Sequence, residues 1–132
     1  MEVLNLIEAV VETIRTPELY ELEYLFECDA KFVDEGVPWQ YTTVSFHITR
    51  NNLRVEFDFE EASRCGQIKL YLGEDEISNF FLENIQNLFI KQLKDFESLI
   101  LVFDNENFVV PLELQTKPVI KITWGTSLEL HR

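Results

Sequence analysis

The chain has 132 residues, 46% of them apolar and eleven of them Phe, with only four Gly and four Pro. That length fits one domain, residues 1–132, with a core of useful size, and the composition excludes a linker-rich or disordered chain. Its 24 acidic residues against 11 basic ones leave a formal net charge of −13, which repels nucleic acid backbones and anionic membranes and favours basic partners.

The charge is unevenly placed. Residues 1–76 hold seventeen acids and six bases, a net −11, whereas residues 77–132 hold seven acids and five bases, a net −2. No apolar run approaches a membrane span, and the segment MEVLNLIEAVVETIR has acids where a signal peptide carries bases, so a cytoplasmic location is expected.

In chain order, Val3, Leu4, Ile7, Val10, Val11 and Ile14 recur at helical spacing before Pro17, which predicts a first helix over 2–15. The stretch YELEYLFECDAKF follows. Its even positions, Tyr20, Leu22, Tyr24, Phe26, Cys28, Ala30 and Phe32, are apolar, and most odd ones are charged. This alternation predicts a long strand over about 19–34 with the even side chains facing the core. Such a strand would span about 50 Å, so a bend or bulge is expected in it.

The loop DEGVPWQ leads to a hairpin. Val44, Phe46 and Ile48 alternate before Asn51-Asn52, and Leu53, Val55, Phe57 and Phe59 alternate after it. QIKLYLG predicts a fourth strand. Ile77, Phe80, Phe81, Ile85, Leu88 and Phe89 form a stripe that predicts a second helix over 74–96. SLILVF lacks alternation and is expected to be a central strand. FVVPLEL, VIKITW and SLELH complete the set, with Pro111 placing its strand at an edge or a bulge. The order α-β-β-β-β-α-β-β-β predicts an α+β fold, a largely antiparallel sheet of about five to eight strands packed on two amphipathic helices. Phe26, Phe46, Phe57, Leu70, Phe81 and Leu88 are expected to be buried.

No metal-ligand spacing, phosphate loop or nucleophile–base pair stands out, so neither cofactor nor metal is expected. Cys28 reads as a buried free thiol, Cys65 as part of a turn, and His47 as a solvated strand residue. Asp58 followed by Gln67-Ile68-Lys69 looks like the metal-dependent nuclease core of restriction-endonuclease type, in which a carboxylate holds Mg²⁺ and the lysine orients a water. The competing reading is that Lys69 neutralises Glu56 or Asp58 across a strand pair.

The acidic faces remain. Glu21, Glu23, Glu27 and Asp29 share one side of the first strand. Glu56, Asp58 and Glu60 share the polar side of the hairpin, and Asp34 and Glu35 flank an exposed Trp39. If the strands pair, these carboxylates form one field that steers a basic protein partner, with Trp39 as an anchor. The function that follows is stoichiometric inhibition, as by a bacterial immunity protein that occludes a basic toxin, a nuclease among the candidates. The chain is also similar in length, acidity and element order to type III secretion chaperones, though it lacks their closing helix.

Overall fold

The structure is a computed structural model that describes residues 17–104 and 109–125. The helix expected over 2–15 and the strand expected at SLELH lie outside the described residues.

Residues 19–26 form a helix, α1 (Leu19–Phe26), where the sequence reading expected the start of a long strand. Local chemistry explains the outcome. The Glu21 carboxylate reaches back to accept the Glu18 amide at 2.8 Å, which satisfies one donor of the first turn. Leu19, Leu22, Leu25 and Phe26 recur at helical spacing, and the last three are buried. Tyr20 and Tyr24, expected in the core, are 68% and 69% exposed on the opposite side. Both registers bury Leu22 and Phe26; the helical one adds Leu25, whose burial contributes about 1.5–3 kcal/mol, and leaves two amphipathic tyrosines in water. The helix stops at Glu27, whose φ of 57° is left-handed, and the Glu27 and Cys28 amides donate back to the Tyr24 and Glu23 carbonyls. Only Lys31–Phe32 of the expected strand pairs, as β1.

The first sheet runs in sequence order: β1, β2 (Val44–Arg50), β3 (Leu53–Glu60), β4 (Cys65–Leu72) and β5 (Asp75–Leu82), all antiparallel. The hairpin over Asn51-Asn52 forms as expected, with Asn51 at a φ of 57°. Val44, Phe46, Ile48, Val55, Phe57 and Phe59 point inward and are buried. Phe26 stacks on Phe46 at 5.3 Å and on Phe57 at 5.8 Å between ring centroids, which docks α1 on the inner face of this sheet. Gly66 sits opposite Phe59 on that face. A Cβ there would meet the Asp58 carbonyl oxygen at 3.0 Å and the Ile85 Cδ1 at 3.4 Å, so the close approach of β4 favours glycine.

The segment expected as a second helix is instead two strands, β5 and β6 (Ile85–Leu93), in different sheets. The stripe that imitated a helix has a structural origin. Leu82 and Ile85 are separated by a turn at Glu83-Asn84, and a bulge between Ile85 and Asn87 carries the next inward position to Leu88. Each irregularity stretches the strand period of two to a spacing of three. Leu88 is buried as expected, Leu70 is half-buried, and Phe81 is 74% exposed, a correction to its expected core position.

The second sheet has the order β6, β7 (Phe96–Phe103), β8 (Leu112–Lys117) and β9 (Lys121–Thr123), again antiparallel. β7 lies between two neighbours and buries Ser98, Leu99, Ile100 and Leu101 in succession, as its unalternating sequence implies. Pro111 precedes β8 rather than interrupting it, and β8 has a neighbour on each side; of the edge or bulge expected, the structure shows a bulge, with Thr116 the extra residue in the pairing with β7. One hydrophobic cluster joins α1 to both sheets, including Phe57, Ile68, Leu82, Leu88, Leu101 and Leu114. The fold is therefore broadly α+β and dominated by antiparallel strands, arranged as two sheets with a single α-helix, of eight residues, among the described residues. That helix is too short to cross a membrane.

Candidate partner-binding surfaces

The acidic residues named from the sequence do not form one field, because the first sheet lies between two groups of them. α1 packs on the face that carries Phe46 and Phe57, whereas Glu56 and Asp58 project from the other face.

On the helix side most carboxylates serve the fold. Glu21 completes the first turn of α1. Glu23 accepts the Ala30 amide at 2.8 Å and holds the turn into β1. Glu27 receives two hydrogen bonds from Arg50, the shorter at 3.0 Å, while Arg50 Nε donates to the Thr116 carbonyl at 3.0 Å. The hydrogen bond from Arg50, aided by the charges of Arg50 and Lys117 and opposed by partial burial, holds the Glu27 carboxyl below its ordinary range. Asp29 is exposed beside them. Asp34 accepts the Gly36 amide through Oδ1, and its own amide donates to Thr42 Oγ1. Glu35 is exposed in the same loop. Trp39, expected as an exposed anchor, is half-buried and packs against the core. Tyr41, two residues on, is 67% exposed.

The outer face of the first sheet can be built from its register. Lys31, Ser45, Asp58, Gln67 and Phe81 are successive partners across all five strands, so their side chains form one row. His47, Glu56, Lys69 and Asn79 form the next row, and Thr49, Arg54, Tyr71 and Glu76 the one after. Arg54 bonds Glu56 at 3.1 Å and lies 4.4 Å from the Tyr71 ring centroid. Lys69 stands opposite Glu56 across the strand pair, but the ion pair Glu56 makes is with Arg54. Asp58 has Ser45 on one side and Gln67 on the other, and carries no ion pair among the described residues. Glu60 accepts the Ser63 hydroxyl at 3.2 Å.

Two shallow hollows flank Asp58. One, of about 200 Å³, is lined by Thr43, Asp58, Glu60, Gln67 and Phe81 among others; the second includes Lys31, His47 and Glu56. Phe81 also borders a third, more apolar hollow with Phe103 and Trp124. Sequence reasoning missed Phe81 as a surface residue. The signal was the adjacent pair Phe80-Phe81, since a strand must turn one of two consecutive aromatics outward. The nuclease-like trio Asp58, Gln67 and Lys69 does share this face. Among the described residues, however, no three of His, Cys, Asp and Glu gather where a metal could be held. Cys28 and Cys65 are both free thiols, and Cys28 is half-buried.

No protein-family model matches the chain, and no curated protein matches it by sequence. Among solved structures, its fold resembles that of a chain in the contact-dependent growth inhibition toxin–immunity protein complex from Klebsiella pneumoniae 342. The TM-score is 0.72 over 86% of this chain and 97% of that one, at 19% sequence identity. At that identity the likeness is one of fold.

Proposed function

We propose that the chain is an immunity protein, a non-catalytic inhibitor that binds a basic toxin in stoichiometric amount and covers its working surface. The observation that carries this reading is the fold shared with a chain of a toxin–immunity complex. The charge favours the inhibitor side of such a pair. A chain at −13 repels a polyanionic substrate, whereas it attracts a basic protein and accelerates their encounter. In this reading the protein acts in the cytoplasm of the bacterium it protects and needs no cofactor.

The test is protection. The product of the gene directly upstream of this chain's own is expressed in a sensitive bacterium with and without the chain. The reading expects that product to arrest growth alone and growth to resume when the chain is co-expressed. Arrest that persists despite soluble chain, or an upstream product without toxicity, contradicts it.

A further inference from the structure

Phe81 is the most exposed Phe among the described residues, at 74%, and it borders the hollow that Asp58 and Glu60 line. Asp58 and Phe81 lie in one row with only Gln67 between them, so their backbones are about two strand spacings, roughly 10 Å, apart. Gln67 donates its side-chain amide to Asn79 at 2.9 Å, which leaves its carbonyl oxygen to accept. An aromatic face, a carboxylate and an amide carbonyl around one hollow match the needs of a guanidinium, which stacks on rings and donates along its edge. The same face already holds one guanidinium this way: Arg54 sits between the Glu56 carboxylate and the Tyr71 ring.

We propose that the outer face of the first sheet is the toxin-docking surface, and that an arginine of the toxin enters the hollow between Asp58 and Phe81. The proposal rests on the immunity reading and deepens it. The hollow is lined by Asp58 and Glu60 and by no basic side chain, and that local charge sets the occupant, while Lys31, Arg54 and Lys69 leave the rest of the face mixed. The aromatic ring distinguishes a specific seat from a general acidic field, because a field attracts any cation whereas the ring rewards a planar one. Tyr20 and Tyr24, on the helix side of the sheet, take no part.

The experiment measures the affinity of the full chain for the toxin identified by the protection assay. Phe81→Ser and Asp58→Asn are each expected to raise Kd by about 30-fold, the scale of an interface hot spot. The double variant is expected to lose less than the product of the two, since both groups serve one arginine. Phe81→Trp, which keeps a ring, is expected to retain binding, as are Tyr24→Ser and Asp29→Asn. All variants are checked for an unchanged thermal midpoint. If wild type binds tightly and neither Phe81→Ser nor Asp58→Asn weakens it, this surface is wrong while the immunity reading stands. Equal losses in Asp29→Asn also overturn it, because they indicate a diffuse field. If wild type does not bind the toxin, both readings fall together.

Discussion

In the sequence Glu27 belongs to a steering surface, yet its carboxylate is committed to Arg50, which also caps the Thr116 carbonyl. This ties the end of α1 to the second sheet. Because the folded-state pKa of Glu27 is depressed, its contribution is fully present above the unfolded value near 4.5 and is lost as pH falls through the lower folded value. The Glu27 side chain is half exposed, so solvent limits the ion pair to less than about 1 kcal/mol. Arg50→Ala removes the carbonyl cap as well and is expected to cost about 1–2 kcal/mol at pH 7. In urea unfolding, Glu27→Gln should be less stable than wild type at pH 7 and indistinguishable from it at acid pH below the folded pKa. An undiminished gap there would show that the effect is not this ionisation. Glu23 carries the same lesson, since Glu23→Lys sacrifices the bond to the Ala30 amide, whereas Asp29→Lys should change stability by less than about 0.5 kcal/mol. At Asp58 the prediction is chemical. Purified chain with Mg²⁺ or Mn²⁺ should not cleave DNA or RNA, and cleavage abolished by Asp58→Ala and by Lys69→Ala would establish the nuclease alternative.

Among the elements, α1 separates two readings of one sequence. An alternating strand and an amphipathic helix agree on Leu22 and Phe26 but disagree on Tyr24 and Leu25. Leu25 is apolar at an odd position, and it is the residue that breaks the alternation; in the structure it is buried. Tyrosine obscured the distinction because its ring counts as apolar in a pattern yet tolerates water at its hydroxyl. Leu25→Ala is therefore expected to cost about 2–5 kcal/mol and Tyr24→Ala less than about 0.5 kcal/mol in denaturant unfolding. The opposite ranking would restore the strand. The hairpin of β2 and β3 was legible because period two, the Asn-Asn turn and the buried face all agree there. The 74–96 segment was not, because the bulge and turn that bring Leu88 to the core are backbone events that a side-chain pattern reads as helical spacing. Phe81 was lost with it, since a helical stripe placed it inside.

For the whole molecule, the net charge was legible but its partition was not. Composition gives −13 without saying that a sheet separates the carboxylates of α1 from those of β3. Which carboxylates support the fold depends on contacts remote in sequence, such as Glu27 with Arg50. The remaining acids still set a long-range field, so association with a basic toxin should slow as salt rises, and Asp58→Lys should slow it further at low salt. An association rate independent of ionic strength would leave the charge without a steering role. The most direct test of the immunity proposal is a titration of purified chain into the toxin that the protection assay identifies, while that toxin's activity is followed at concentrations well above Kd. Activity is expected to fall linearly and to be extinguished near one molar equivalent. Activity that persists at a large excess of folded chain would contradict it.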